Sequence, residues 1–209
     1  TAWHVDHHLR PDGAREAALV EDLATRLGCG FELRHVTVDS SANVEARARE
    51  ARFAVLPHGV MTGHTADDQA ETVLVNLIRG AGSRGLAGMT PSPAKPILAL
   101  RRSETHELCA ALDLEVVTDP TNESSAFQRN RIRKEIIPLL DDIAARDVVP
   151  VLTRQADLLR DDDVLLDELA RAIDPTDAKA LTAAPRALAR RAVRLWLSGD
   201  YPPDVATVD

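Results

Sequence analysis

Apolar residues in the first two thirds of the chain alternate between short runs and helical repeats. The short runs predict strands at residues 2–5, 31–38, 59–62 and 114–118. Spacings of three or four predict one helix that ends near residue 27 and three more that span residues 43–56, 66–79 and 104–112. Gly28 and Gly80 follow two of these helices, as glycine commonly does. Because strands that alternate with helices are typical of a doubly wound parallel sheet, we predict an α/β fold for residues 1–138.

The pattern changes after Pro138. Apolar residues then recur at spacings of three, four or seven, which predicts a long amphipathic helix, and Pro150 suits its first turn. Pro185 can open a last helix in the same way. That helix is expected to face inward through Leu188, Ala192, Leu195 and Trp196 and outward through Arg190, Arg191 and Arg194. Residues 139–209 are therefore predicted to form a second, small, all-helical domain.

Composition and charge limit the class of protein. The 209 residues are 44% hydrophobic and 28% charged, which is typical of a globular protein. With 25 Lys and Arg against 33 Asp and Glu, the net charge is -8, so any contact with nucleic acid must be local. No apolar run reaches the roughly 20 residues of a membrane span, and we expect a cytoplasmic protein without membrane contact. Cys29 and Cys109 are expected to be small buried hydrophobes.

The segment GHTADDQAET, residues 63–72, is the most suggestive of chemistry, because it lies where a predicted strand hands over to a helix. Ligands of open parallel sheets bind at the carboxyl ends of strands. Three carboxylates share one end of this helix and could hold Mg²⁺ and a triphosphate or take a proton from an amine: Asp67, Asp68 and Glu71. The alternative is helix capping, with Thr65 as N-cap and Asp68 completing a capping box. His64 beside the acids favours a site.

Two further segments have both a functional and a plain interpretation. In HVDHHLR, residues 4–10, strand alternation directs His4 and His7 to different faces, which disfavours a site in which the histidines bind a metal. A strand-end loop that touches a nucleotide or Mg²⁺ is favoured, with a simple turn before Pro11 as the alternative. The glycine-rich residues 80–88 match no phosphate-binding fingerprint and are expected to form a mobile loop at the site.

Arginines are concentrated in two places. The helix at 43–56 carries Arg49 among others, either as a solvated face or with one arginine turned toward a phosphate. FQRNRIRK, residues 127–134, is the densest basic cluster of this acidic chain. Such a cluster suits phosphate recognition, although an isolated charge run is more often a solvated helix start.

These segments, in this order, resemble the tRNA(Ile)-lysidine synthetases of the N-type ATP pyrophosphatase, or PP-loop, group. The matching stretches are HVDHHLRP, NVEARAREARF, MTGHTADDQAETVLVNLIRGAGSRGLAGM, KPILALRRSE, DPTNESSAFQRNRIRKEIIPLL and TRQADLLRDDD, and they cover most of residues 1–170. The resemblance implies a Rossmann-like fold of the adenine nucleotide alpha hydrolase type. It also implies an enzyme that uses ATP and Mg²⁺ to adenylate the wobble cytidine of an isoleucine tRNA with a CAU anticodon, after which L-lysine displaces AMP to give lysidine.

The resemblance also implies roles for individual residues. Asp68 and Glu71 would lie at the lysine and adenylate site, and Arg49 and Arg129 near the phosphates or the substrate base. The residues expected to bind substrate are His64, Asp67, Asn130, Arg131 and Arg133. The residues expected near the nucleotide are Val5, Asp6 and His7. No residue is expected to be a dedicated metal ligand.

Two departures from the family pattern keep other functions open. The family's SGGxDS loop would precede residue 1, so residues 1–138 are expected to be an incomplete catalytic domain whose competence is open, and His8 stands where the family usually has Gly. The alternatives are another PP-loop pyrophosphatase, either a tRNA thiolase or an amidating synthetase, and a noncatalytic fragment that binds tRNA. An iron–sulfur thiolase is disfavoured because the chain has no paired cysteines. A homodimer is also left open.

Overall fold

The structure is a computed structural model that describes residues 1–7, 13–37, 44–117, 124 and 127–198, with the backbone alone for residues 44–46. Its elements up to residue 111 are β1 (Ala2–Asp6), α1 (Gly13–Arg26), β2 (Phe31–His35), α2 (Val44–Val55), α3 (Ala66–Ile78), α4 (Ser83–Leu86) and α5 (Arg102–Ala111). The later elements are α6 (Gln128–Arg131), a π-helical turn (Ile132–Ile136), α7 (Ile137–Ala144), α8 (Val149–Arg171), α9 (Ala178–Ala183) and α10 (Arg186–Leu197). Every described helix is too short or too polar to traverse a lipid bilayer.

The described residues belong to two compact units. The first is drawn from Thr1–Gly63, Ser92–Ile97 and Arg102–Asn122, and the second from His64–Pro91, Leu98–Arg101 and Glu123–Asp209. The predicted helices at 43–56, 66–79 and 104–112 are confirmed, with small shifts at their ends. The predicted domain boundary at 138/139 stays a prediction.

In the first unit, β1 and β2 pair in parallel, with Ala2 opposite Phe31 and Asp6 opposite His35. Helix α1 packs on these strands and buries Ala17 and Ala24. Gly13 opens α1 directly beside the end of β1, where an added Cβ would lie 2.8 Å from Oδ1 of Asp6. The absence of a side chain at this position therefore lets the backbone of α1 approach the Asp6 carboxylate.

Two predicted strands are wrong. Residues 59–62 form a turn and an irregular segment in which the N–H of Thr62 donates to the carbonyl of Ala94 at 2.8 Å, so its backbone bond goes to a loop. Residues 114–117 are also irregular, and the side chains of Val116 and Val117 are exposed, which deprives this short apolar run of the burial that favours a strand. Among the described residues the sheet has two parallel strands. Residue 118 and His8 lie outside the described residues.

The second unit is helical, and its core lies around α3. Ala66, Ala70 and Leu74 of this helix are buried against a cluster from the π-helical turn, α7 and the start of α8. Pro150 lies in the first turn of α8, as predicted. Because α3 is buried along one side, the side chains of its N-terminal turns are held in fixed directions.

Three predicted side-chain environments are wrong. Trp196 is 58% exposed although it was expected to face the core, because it lies in the last turn of α10. Arg191 was expected to face outward, but its side chain is only 18% exposed and forms ion pairs with two aspartates of α8. Cys29 is exposed, since it follows the turn that ends α1.

Candidate active site

The N-terminus of α3 combines both interpretations of GHTADDQAET. Thr65 is the N-cap, and Oδ2 of Asp68 accepts hydrogen bonds from the backbone N–H and from the hydroxyl of Thr65, both at 2.8 Å. The expected capping box is therefore present. The Asp68 side chain nevertheless keeps 19% of its surface exposed, so capping fixes the carboxylate without enclosing it.

Glu71, one turn further along α3, is fully buried and paired with Arg133. Nε of Arg133 donates to Oε1 at 2.7 Å, and Nη2 donates to Oε2 at 3.2 Å. The hydrogen bond to Glu71 raises the pKa of Arg133, and burial opposes this shift only in part. Nη2 of Arg133 also lies 4.0 Å from Oδ1 of Asp68. One guanidinium thus links the two carboxylates that were predicted to be catalytic.

Asp67 is held by an arginine that the motif-based prediction did not include. Nε and Nη2 of Arg101 donate to Oδ2 and Oδ1 of Asp67 at 3.2 and 3.1 Å, and Nη1 contacts Asp147. A backbone hydrogen bond positions this arginine: the N–H of Ala66 donates to the carbonyl of Leu100, the residue before Arg101. The hydrogen bond to Asp67 raises the pKa of Arg101. The stretch KPILALRRSE, which carries part of the family resemblance, contained this residue.

Arg129 reaches the same helix through a hydroxyl. Its Nη2 donates to Oγ1 of Thr72 at 2.7 Å, and that hydroxyl donates to the carbonyl of Asp68 at 2.7 Å. Thr72 lies one turn after Asp68, so the Arg129 guanidinium is fixed beside the α3 acids. The structure therefore brings Asp67, Asp68, Glu71, Arg129 and Arg133 to one helix end of the second unit.

The other residues of the basic cluster have different surroundings. Asn130 is buried, and its Nδ2 donates to the carbonyl of Ser124 at 2.8 Å. Arg131 is exposed and pairs with Glu135 one turn away, and this hydrogen bond lowers the pKa of Glu135. Arg133 lies within the π-helical turn, a feature frequent at functional sites.

Of the remaining predicted residues, one lies next to α3 in the sequence and the others belong to the first unit. His64 is half-buried and immediately precedes the N-cap of α3. Val5 and Asp6 end β1, and His7 follows them. Arg49 lies on α2, with its guanidinium 5.0 Å from the ring centre of Phe53. Among the described side chains, no group of three or more possible ligands has the arrangement of a metal site.

A family profile described as the PP-loop domain matches residues 1–140 of the chain, and this match defines the class of protein. A tRNA(Ile)-lysidine synthase of Nocardia farcinica is 43% identical, over 92% of this chain and 66% of its own length. Synthases of the same name from Mycolicibacterium paratuberculosis and Mycobacterium bovis are 42% and 40% identical over 94% of this chain. The chain spans about two thirds of the length of these relatives.

The chain therefore belongs to the tRNA(Ile)-lysidine synthase family of PP-loop proteins. This confirms the resemblance that the sequence motifs indicated.

Proposed function

We propose that the protein ligates L-lysine to the wobble cytidine of tRNA(Ile) with a CAU anticodon and thereby forms lysidine. ATP adenylates the carbonyl oxygen at carbon 2 of the base with release of pyrophosphate, and the side-chain amine of lysine then displaces AMP. The observation that carries this proposal is the identity of 40 to 43% with tRNA(Ile)-lysidine synthases over at least 92% of the chain. The cluster of acids and arginines at α3 supplies groups that suit both steps.

Within this reaction, Asp68 is the best placed carboxylate to bind the lysine ammonium and accept its proton. Its carboxylate is partly exposed, and Thr65 orients it through two hydrogen bonds to one oxygen. Glu71 is less accessible to the lysine amine, because it is buried and both of its oxygens accept hydrogen bonds from Arg133. We assign Asp68 the proton transfer and Glu71 the positioning of Arg133.

The arginines supply the positive charge that a transferring adenylate requires. Arg133 and Arg129 are both anchored to α3 through defined hydrogen bonds, so their orientation is set before substrate binds. Asp67 and Arg101 form a neutral pair next to Asp68 and stabilise the same helix end. Arg131 lies on the exposed side of the cluster and suits contact with the tRNA backbone. His64 and Asn130 of the same unit are proposed to bind substrate. For Val5, Asp6, His7 and Arg49 of the first unit, the proposed contacts with the nucleotide and its phosphates rest on the family resemblance.

The three acids at the start of α3 do not fit a dedicated Mg²⁺ site. Both carboxylate oxygens of Asp67 and of Glu71 accept hydrogen bonds from an arginine. One oxygen of Asp68 accepts the hydrogen bond that caps α3. Mg²⁺ prefers several oxygen ligands in near-octahedral geometry and commonly keeps water and substrate phosphates among them. The proposed steps for Asp68, Glu71 and the arginines therefore do not involve a metal held by these carboxylates.

The proposed function agrees with the predicted doubly wound fold, the predicted helical domain and the predicted cytoplasmic location. The parallel pairing of β1 and β2 supports a larger doubly wound sheet, and the helices after residue 138 support an additional helical domain. Action on tRNA in a bacterial cell would take place in the cytoplasm.

The test is ATP-dependent transfer of labelled lysine into an isoleucine tRNA transcript with a CAU anticodon. Asp68→Asn should lower lysine transfer at least about a hundredfold, which is the effect expected when a general base is lost. Asp22→Asn, at an exposed position of α1, makes the same chemical change and should leave lysine transfer unchanged. Equal transfer by the two variants would remove Asp68 from its role. ATP cleavage with ammonia and no tRNA would favour an amidating synthetase. Binding of tRNA without pyrophosphate release would indicate a noncatalytic fragment.

A further inference from the structure

A second candidate site lies in the helical unit, apart from the α3 acids. A cavity of about 460 Å³ is formed by α4, α8 and α10. Its charged and hydroxyl lining comes from Ser83, Arg84, Asp163, Asp167 and three arginines of α10, at positions 190, 191 and 194. The volume lies within the range of small-molecule pockets, and six of the eleven lining residues are charged.

In the floor of the cavity, two lining acids form ion pairs with two lining arginines. Arg191 donates to Oδ1 of Asp167 at 2.7 Å, and its Nη2 lies 2.8 Å from Oδ1 of Asp163. Arg84 approaches the Oδ2 atoms of the same two acids, at 3.4 Å for Asp163 and 2.8 Å for Asp167. Both carboxylates are buried and are satisfied from two sides, so the network holds α4 and α10 rigidly against α8.

The lining as a whole carries more positive than negative charge. It contains four arginines and two aspartates, a formal excess of two positive charges. Arg194 forms no ion pair within the part of the chain that the structure describes, and its side chain is half-buried at the cavity. A half-buried guanidinium that lacks an ion-pair partner is most stable when an anion joins it.

We propose that this cavity binds a phosphate group of the RNA backbone, with Arg194 as its principal contact. A guanidinium donates two parallel hydrogen bonds to phosphate oxygens, and the rigid aspartate–arginine floor keeps the neighbouring cations in place. The inference rests on the proposed function. If the substrate is tRNA, the anion that reaches this cavity is expected to be a backbone phosphodiester and not a carboxylate of an acidic protein. The cavity thus adds a tRNA contact to the reaction site, in a chain whose overall charge is -8.

The experiment measures tRNA binding against salt concentration for the intact protein and its Arg194→Gln variant. The logarithm of the binding constant falls linearly with the logarithm of the salt concentration, and each lost phosphate contact makes this negative slope shallower by about 1. Arg194→Gln should show that change. Arg194→Lys keeps the charge and should retain the wild-type slope. Lys179→Gln on exposed α9 removes a charge away from the cavity and serves as the control. Circular dichroism establishes that each variant is folded.

Inorganic phosphate provides a second measurement that needs no variant. At constant ionic strength, replacing chloride by phosphate should weaken tRNA binding by the wild-type protein, and by Arg194→Gln to a smaller extent. The proposal is overturned if the slope is the same for Arg194→Gln and wild type, if Lys179→Gln changes it equally, or if phosphate has no effect. Phosphate that raises the Tm only of the wild type, with equal tRNA affinities, would identify a free anion site instead.

The proposed function and this inference fail in different ways. A wild-type protein that binds no tRNA contradicts the proposed function itself. A wild-type protein that binds tRNA and transfers lysine, with an Arg194→Gln variant of unchanged salt slope, contradicts only the phosphate site.

Discussion

Arg133 holds the fully buried carboxylate of Glu71 through two hydrogen bonds, although 62 residues separate them in the sequence. The pair joins the π-helical turn to α3 inside the unit that carries the candidate active site. It also brings a guanidinium to 4.0 Å from Asp68. A structural ion pair and a component of the proposed site are therefore the same two side chains.

Removal of this arginine should destabilise the protein strongly. Arg133→Met removes the guanidinium that pairs with the buried Glu71 carboxylate, and breaking a buried ion pair costs about 3–5 kcal/mol in the free energy of unfolding. Urea denaturation measures the loss. Arg131→Met is the matched control, because its pair with Glu135 is exposed to solvent and its loss should leave the free energy of unfolding nearly unchanged. The double variant Arg133→Met/Glu71→Leu should recover part of the stability, and no recovery would contradict the burial argument.

Loss of Arg101 should reduce lysine transfer with a smaller effect on stability. Arg101→Gln removes two hydrogen bonds from the Asp67 carboxylate and leaves its charge less neutralised beside Asp68, which should raise the KM for lysine or lower kcat. Arg101→Lys keeps the charge without the forked geometry and should be intermediate. Steady-state kinetics distinguish these results. Arg146→Gln, an exposed arginine before Asp147, should behave like wild type, and equal defects in both variants would refute a positioning role for Arg101.

Two glycines with positive φ should differ in their tolerance of alanine. Gly88 has φ +62 and an added Cβ would lie 2.7 Å from Oε1 of Gln69, a buried side chain that exchanges hydrogen bonds with the backbone of Met89. Gly80 has φ +76 with open space around it. Gly80→Ala should cost only the left-handed backbone penalty of about 1–2 kcal/mol. Gly88→Ala should cost about 1–3 kcal/mol more in chemical denaturation, and similar losses would show that Gln69 adjusts freely.

The loop after α8 should contribute a pH dependence in the acid range. The hydroxyl of Thr176, and then its backbone N–H, donate to Asp174 and lower the pKa of this aspartate. Because the folded-state pKa is the lower one, the stabilisation is complete above the unfolded-state value and is lost as the pH falls through the folded-state value. An NMR titration should place Asp174 below the usual aspartate pKa. Thr176→Val should shift the midpoint upward, and an unchanged midpoint would contradict the assignment of the hydroxyl as the main cause.

Local patterns in the sequence determined the helices and the nature of the site. A capping box depends on residues three apart, and a helix face on spacings of three and four, so Thr65, Asp68 and the extent of α3 could be predicted without a fold. The GHTADDQAET and RNRIR segments likewise indicated the family, because they combine chemical groups that few proteins share in that order.

Tertiary structure decided the partners and directions of the charged side chains. The sequence placed Glu71 among candidate catalytic acids, but its burial and its pairing with Arg133 depend on how α3 meets the π-helical turn. Arg191 turned inward because two aspartates of α8 lie opposite it, a relation that periodicity within α10 cannot contain. Residues 59–62 have the apolar character of a strand, yet the backbone of Thr62 pairs with a loop. Propensity acts between near neighbours in the chain, whereas ion pairs and strand pairing require segments that only the folded chain brings together.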